Sequence, residues 1–463
     1  MLAGRILIIG GGASGVLLAA QLLRLDTNKV AVTIIERRAE IGAGIAYSTD
    51  HPDLLLNTRT AGMSAFPDDS DHFLRWLRDN SQDHTQDLLD PAGFVPRRVY
   101  RDYLRGLLDP WANRSDGRLR VVHGQCVRLE KTPGAIRAIL ADGSEEEADA
   151  VVLATGHAEP RHASGARISG PWCSADELSI APDDAVLILG TGLSMVDNVA
   201  LLRHRGHRGP ITAVSRRGLL PQIHASAATI RIEAADVPFG ARLSELTRWL
   251  RDVARIASEH GGDWRGVVDA LRPHMGTLWQ SMPIETRRRF LRHGRTFWEV
   301  HRHRMAPQAA RMIRDAMASG QLRVVAGRIH PGSLTGHGSR VTLTERGGET
   351  RTVPADRIID CTGILRDPTT GSGHLVAELI QKGRARLDPL GIGIDVQEDG
   401  SVIDEEGTPS SRLFAVGPVT RARFWEITAV PDIRVQCGKL AATLVESVRT
   451  SRSRSAASPS SNA

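Results

Sequence analysis

The sequence predicts an α/β protein of two doubly wound units, one nested within the other, with a helical insertion. Three observations predict it. An apolar strand from Gly4 runs into the glycine-rich stretch Gly10-Gly11-Gly12-Ala13-Ser14-Gly15 and then a helix, the same order returns from Ala185 to Gly192, and apolar strands reappear after residue 321 and finish near Gly417. Strands that alternate with helices through short glycine turns build parallel sheets. At 463 residues the chain can bury two or three cores.

The first turn sits directly between a strand and a helix expected from about Ser14 to Leu25. Gly10 permits the tight turn, Gly12 lets the backbone approach a pyrophosphate, and Gly15 lets the helix lie close to the sheet. Ala13 and Ser14 supply free N–H groups at the positive end of the helix dipole. The second strand, Val30 to Ile35, ends on Glu36, 26 residues after Gly10, followed by Arg37. A carboxylate there can accept hydrogen bonds from a ribose. This is a Rossmann-like dinucleotide fingerprint, and it does not choose between dinucleotides. Further strands are expected near 119–130 and 135–140.

The second turn, Gly190-Thr191-Gly192-Leu193-Ser194-Met195, keeps two glycines and has Met195 in place of the third. Gly190, Gly192 and Ser194 are expected to contact the cofactor at the helix that follows. The next strand, Ile211 to Ser215, ends on Ser215-Arg216-Arg217-Gly218. An NAD site usually carries an acid at this point, whereas arginines with a hydroxyl beside them suit a 2′-phosphate. NADPH is therefore expected over NADH, the alternative being a solvated charged turn. One dinucleotide that stays bound and one that comes and goes with hydride suggest a flavin, FAD, reduced by NADPH.

Residues 1–170 are then the first part of an FAD-binding domain. Residues 183–330 are an NADPH-binding domain holding a helical insertion at about 222–320, in which Leu243, Leu246, Trp249, Leu250 and Val253 recur at helical spacing. Residues 331–449 complete the FAD domain with a closing helix near 431–449. The Ser- and Arg-rich tail 450–463 has nothing to bury and is expected to be disordered.

The formal charge is +6, carried mostly by arginines spread along the chain. No reader motif accompanies the charge, so an anionic cofactor or small-molecule substrate is expected rather than nucleic acid. Met1 to Arg5 lead straight into a strand and leave no room for a secretory signal. No apolar run is long enough to span a bilayer. Cys126, Cys173, Cys361 and Cys437 form no C-x-x-C pair, against a disulfide scaffold, a zinc site or a redox dithiol. These features suit a reducing cytoplasm without a membrane partner; a homodimer is left open. The basic stretch Arg287-Arg288-Arg289, Arg292, His293, Arg295, His301, Arg302, His303, Arg304 could meet a carboxylate-bearing substrate or NADPH phosphates, with a solvated helix face as the alternative. The stretch also contains Trp298 and Glu299; its His301-Arg302-His303 cluster has no acidic partners at metal spacing, so no metal site is expected.

Asp149-x-x-x-Leu153-Ala154-Thr155-Gly156-His157, followed by His162, resembles a segment of flavin-dependent N-hydroxylating monooxygenases and is echoed by Asp356-x-x-x-Asp360-Cys361-Thr362-Gly363. Gly42-Ala43-Gly44-Ile45-Ala46-Tyr47-Ser48, Leu56-Asn57-Thr58, Phe73 to Leu77, Gly417-Pro418 and Trp425 to Arg434 resemble a bacterial family of FAD/NAD(P)-binding proteins, some of them similar to amino-acid N-monooxygenases. The resemblance implies a flavin face lined by Asn57, Thr58, Arg59, Thr60, Met63 and Ser64, with catalytic weight on Asn57, Arg59, Thr60 and Met63. It places Thr155, Gly156, Gly363, Gly417, Pro418 and Val430 on the cofactors, and the helix that begins near Val430 would stabilise charge on the reduced ring. The implied reaction uses O2 as co-substrate and transfers one oxygen from a flavin C4a-hydroperoxide to a small heteroatom-containing substrate, an amine or amino acid being the example. Departures from related flavoproteins are informative. No F-x-G-x-x-x-H-x-x-x-W segment stands between the two turns, and Pro418 replaces the Asp that often follows the last glycine. An NADPH-dependent flavin oxidoreductase without oxygen insertion shares every motif, and a non-catalytic redox sensor is the alternative from another class.

Overall fold

The computed structural model describes residues 4–25, 30–80, 89–112, 114, 116–157, 167–172, 180–334, 339–362, 368–369 and 374–456. The chain divides into two compact units. The first comprises Met1–Pro52, Thr58–Glu159 and Leu365–Ala463, and the second comprises Asp53–Asn57 and Pro160–Ile364.

The first unit opens with β1 (Gly4–Ile9), α1 (Ala13–Leu25) and β2 (Val30–Glu36), continues through α2 (His72–Asp79), α3 (Arg97–Gly106) and α4 (Asp109–Ala112), and reaches β3 (Leu119–His123). A ribbon of β4 (Cys126–Thr132), β5 (Ala135–Leu140) and β6 (Glu145–Ala148) leads to β7 (Ala150–Leu153). The second unit contains β8 (Ile168–Ser169), β9 (Val186–Leu189), α5 (Leu193–His204) and β10 (Ile211–Ser215). Next come α6 (Leu243–Glu259), α7 (Trp264–Leu271), α8 (Met275–Ser281), α9 (Ile284–Arg289), α10 (Arg295–Arg302) and α11 (Pro307–Ala318). The strands β11 (Leu322–Ile329), β12 (Arg340–Glu345), β13 (Thr350–Pro354) and β14 (Arg357–Asp360) complete it. The chain re-enters the first unit with α12 (His374–Gln381), β15 (Ser401–Ile403), β16 (Pro409–Ala415) and α13 (Val430–Ala456).

In the first unit a six-stranded sheet runs β15-β16-β7-β1-β2-β3, parallel except for β15, beside the antiparallel three-stranded β4-β5-β6. Helix α1 is buried along nearly its whole length, from Ser14 to Leu23. A helix apolar all round must be covered on every side, and here β1, β2 and α13 do so. Burying one Leu or Val side chain contributes about 1.5–3 kcal/mol. Val16, Leu17, Leu18, Leu22 and Leu23 make α1 a principal anchor of the unit.

The second unit has a seven-stranded sheet, β13-β12-β11-β10-β9-β14-β8. Strands β8, β14, β9, β10 and β11 are parallel, and the β12–β13 hairpin adds antiparallel strands at one edge. One face packs on α5 and α11 through Val186, Ile188, Met195, Val199, Ile211 and Ile313.

Two sequence expectations need correction. The return to the first unit comes at Leu365, not 331, because β12 pairs with β11 and β14 pairs in parallel with β9, so residues 340–360 belong to the second sheet. The last helix runs to Ala456, past the expected end at 449 and into the tail expected to be disordered. No glycine or proline interrupts the chain there before Pro459, and a helix already nucleated by packing extends at little cost. Residues 457–463 lie outside the described residues, as do Gly363, His162 and Cys173. No helix among the described residues is long and apolar enough to cross a membrane.

Candidate functional site: two glycine cradles

Each unit builds a turn at the carboxyl edge of its sheet, where parallel strands leave a crevice for ligands. In the first unit Gly10 follows β1 with φ +111°, and its N–H donates to the Ile35 carbonyl at 2.8 Å. A Cβ on Gly10 would come within 2.9 Å of the Ala154 carbonyl carbon, and closer still to its oxygen. On Gly15 it would overlap the Gly10 carbonyl oxygen, and on Gly12 it would lie 3.3 Å from Gly44 Cα. Gly10 and Gly15 are required by what surrounds them, and Gly12 sits in a tight contact. The first turn of α1 carries no acidic residue of its own.

The second unit repeats the geometry. Gly190 has φ +107°, donates to the Val214 carbonyl at 2.7 Å, and a Cβ there would come within 2.9 Å of the Cys361 carbonyl carbon. Gly192 is the N-cap of α5, with no side chain to cap it and no acid in the first turn. Met195, where the first unit has Gly15, is fully buried in the helix–sheet core. A side chain of that size between helix and sheet is tolerated only if the two stand further apart. The missing third glycine is a packing difference and leaves the cradle intact.

The paired Asp motifs explain why the two turns match. Asp149 accepts the Arg5 N–H on Oδ2 at 2.8 Å and donates its own N–H to the Arg5 carbonyl at 2.9 Å. Asp356 does the same with Ala185, at 2.8 Å each way. Each motif therefore pins the start of the central strand with its carboxylate. It then crowds the glycine that ends that strand, through the Ala154 or Cys361 carbonyl.

The remaining residues expected at the first cradle fall into three groups. Glu36 is buried, and both its oxygens already accept backbone N–H groups, from Gly11 at 2.6 Å and Arg38 at 2.8 Å. Each oxygen keeps a lone pair for a ribose hydroxyl, so the carboxylate shapes the turn as well as facing it. Arg37 is exposed. Thr155, Gly156 (φ +70°) and His157 follow β7, while Gly417 and Pro418 follow β16, whose Ala415 is in register with Leu153. Gly417, with φ +76°, lies against the Ser14 side chain, too close for any Cβ. Its N–H donates to Gln436 Oε1 at 2.8 Å, and Gln436 Nε2 donates to Thr420 Oγ1 at 3.0 Å. Gln436 on α13 thus holds the Gly417 turn in place. Nothing local in the sequence marks it. Val430, the first residue of α13, is buried.

The segment expected to line a flavin is less uniform. Asn57 belongs to the second unit, where its carbonyl accepts from His224 Nε2 at 3.0 Å, whereas Thr58 onward belongs to the first. Thr60 is buried, with its hydroxyl donated to the Gly93 carbonyl at 3.1 Å. Met63 and Ser64 are buried, and the Ser64 carbonyl accepts from Arg434 Nη1 at 2.8 Å. Arg59 is half-buried. Beneath this segment Phe73, Tyr100 and Tyr103 pack ring to ring, with centroids 4.7–5.5 Å apart. Such pairs contribute about 0.5–1.5 kcal/mol each beyond their burial. Burial pushes the Tyr47 phenol up to about 12 despite the nearby Arg97. His157 goes the other way. Desolvation, aided by Arg421, pushes its imidazole down to about 3, so it is neutral at physiological pH.

At the second cradle, Thr191 donates to the Leu219 carbonyl at 2.6 Å, so the 2.9 Å bond between Thr191 Oγ1 and Ser215 Oγ must be donated by Ser215. Ser215 Oγ also accepts the Gly218 N–H at 2.9 Å. Its hydroxyl holds the arginine-bearing turn in shape and has no proton left for a phosphate. Ser194 is half-buried in the first turn of α5. Arg216 is exposed, and Arg217 is held against the helical insertion.

The basic stretch of that insertion is largely paired within its own unit. Arg288 meets Glu285 at 2.5 Å, Arg295 meets Glu299 at 2.7 Å, and the buried Arg304 meets Asp269 at 2.5 Å. Cys126, Cys361 and Cys437 are free, and burial pushes all three thiols up. They are inert packing groups by this measure.

The glycine cradles, beside helix N-termini with no acid in their own first turns, fit dinucleotide cofactors. Residues 7–158 match the FAD-NAD(P)-binding family. A search of curated proteins finds no match. Among solved structures, the reduced ornithine hydroxylase of Pseudomonas aeruginosa aligns with TM-score 0.64 at 16% identity, covering 97% of this chain and 100% of that one. The ornithine N-hydroxylase of Kutzneria sp. 744 aligns with TM-score 0.61 at 15% identity, covering 95% and 98%. The bacillithiol disulfide reductase of Bacillus cereus aligns with TM-score 0.53 at 14% identity, covering 96% and 99%. At such identities the likeness is one of fold, and one fold hosts several chemistries. Residues 7–158 therefore resemble a domain of the FAD-NAD(P)-binding family, and the fold of the whole chain is similar to that of the ornithine hydroxylases and the bacillithiol disulfide reductase.

Proposed function

We propose that this protein is an FAD-dependent, NADPH-using monooxygenase that places one oxygen atom of O2 on a heteroatom of a small amine or amino acid. The observation that carries the reading is the duplicated cradle, with an acid ending the second strand of the first unit and an arginine pair ending that of the second. Glu36 suits the ribose of FAD, and Arg216 with Arg217 suits a 2′-phosphate. Bound flavin supplies the redox and oxygen chemistry. The chain's own tasks are to hold the cofactors and orient them. Gly10, Gly12 and Gly15 admit the FAD pyrophosphate to backbone N–H groups. Gln436 fixes the Gly417 turn beside Ser14. The α13 N-terminus carries the positive end of a helix dipole, which Asp432 in its first turn partly offsets. Neutral His157 adds no like charge to that of Arg421. The ornithine hydroxylases among the structural neighbours support N-hydroxylation as the form of the reaction.

The bacillithiol disulfide reductase neighbour favours a second reading, an NADPH oxidoreductase that inserts no oxygen. One experiment separates the two. The FAD-loaded protein is given NADPH, amines and amino acids under ¹⁸O2, and product mass is read beside hydrogen peroxide. Label in a hydroxylated product supports the monooxygenase. NADPH consumption that yields only peroxide, or reduction of another acceptor, refutes it.

A further inference from the structure

Arg217 is gripped from two sides by the helical insertion, and both contacts come from one irregular place in it. Helices α9 and α10 are joined by a π-helical turn, Phe290–Gly294, in which the Arg295 N–H bonds to the Phe290 carbonyl. Such turns are uncommon, often mark functional positions, and offset the carbonyls from the regular α-helical pattern. Here the His293 carbonyl, inside the turn, accepts from Arg217 Nη2 at 3.1 Å. Four residues on, the Phe297 ring lies under the Arg217 guanidinium, 4.4 Å from ring centroid to Cζ. Gly294 is part of the arrangement, because a Cβ there would come within 2.9 Å of the Phe290 ring. Phe297 is 47% exposed, a large apolar group left at the surface. A cation resting on its face accounts for that placement.

We propose that Phe297 and the π-helical turn are positioning elements for 2′-phosphate recognition. They hold the Arg217 guanidinium flat beside Arg216, so that the insertion, and not the β10 turn alone, sets the preference for NADPH. The inference rests on the NADPH reading above. A free arginine side chain must give up rotamer freedom when a ligand orders it. Arg217 is ordered in advance, which favours the ligand that uses it.

The test is equilibrium binding of 2′,5′-ADP and of 5′-AMP to wild type, Phe297→Ala, Phe297→Trp and Gly294→Ala. The wild type should bind 2′,5′-ADP more tightly. Phe297→Ala should weaken 2′,5′-ADP by about 2- to 5-fold, the size of an exposed cation–π contact, and leave 5′-AMP unchanged. Phe297→Trp should restore the preference, and Gly294→Ala should reduce it. A ratio of the two affinities that stays at the wild-type value in Phe297→Ala overturns the positioning role, and so does an equal loss for both ligands. A wild-type protein that does not distinguish the ligands overturns the NADPH reading itself, and with it the role of Phe297.

Discussion

Replacing Gly10 by Ala tests whether the first cradle is closed by contact or by backbone strain. Gly10 has φ +111°, which an L-residue adopts only at a cost of about 1–2 kcal/mol. The new methyl also lies within 2.9 Å of the Ala154 carbonyl carbon and closer to its oxygen. Carbon pairs prefer about 3.5–4.0 Å, so β1 and β7 would have to part at their paired ends, where Ile9 faces Leu153. Overpacking of that kind costs about 1–3 kcal/mol. The sum is about 2–5 kcal/mol, a large part of the roughly 5–15 kcal/mol that holds a domain. Gly134→Ala is the control, since Gly134 has φ +78° and nothing within 4 Å of a Cβ. It should lose only the strain contribution. Both variants are compared with wild type by urea unfolding followed by circular dichroism, together with FAD absorbance per chain after desalting. If Gly10→Ala loses no more stability than Gly134→Ala and keeps its full FAD, the crowding by Ala154 is not what makes Gly10 necessary.

Met195→Ala should cost about 2–5 kcal/mol through the cavity it leaves in the helix–sheet core, read as a lower denaturation midpoint; a neutral effect would show that α5 closes onto the sheet without help from Met195. Arg216→Ala with Arg217→Ala should raise the KM for NADPH strongly and leave that for NADH nearly unchanged, and equal losses for both cofactors would sink the 2′-phosphate assignment. His157 bears on acid stability. Its folded imidazole sits near 3 against an ordinary 6.5, so the unfolded chain binds the extra proton in the window between these values. Stability from this group is intact above about 6.5 and falls as pH drops through that window. His157→Gln should flatten that part of the melting-temperature profile, and an unchanged profile would assign the acid sensitivity to other groups.

Both glycine turns were legible in the sequence because their signal is local: an apolar strand, a residue free to take positive φ, and a helix start lie within a few residues of one another. The doubling of the Asp motif was legible too, although not its task. That Asp149 and Asp356 pin Arg5 and Ala185 depends on pairing across more than a hundred residues. The assignment of residues 331–360 was misread for a similar reason, since a strand's own composition does not say which sheet its hydrogen bonds will join.

By itself the sequence determined that two glycine turns stand between a strand and a helix, which residues turn their chains, and which charge ends each second strand. These follow from backbone geometry and the order of elements. Only the tertiary structure decided what closes each cradle. It set the Ala154 and Cys361 carbonyls against Gly10 and Gly190, and Gln436 against Gly417. It turned the Ser215 proton toward Thr191 and laid Arg217 on Phe297. Those contacts join residues far apart in the chain, and their energies come from shape and hydrogen-bond direction that no residue carries alone.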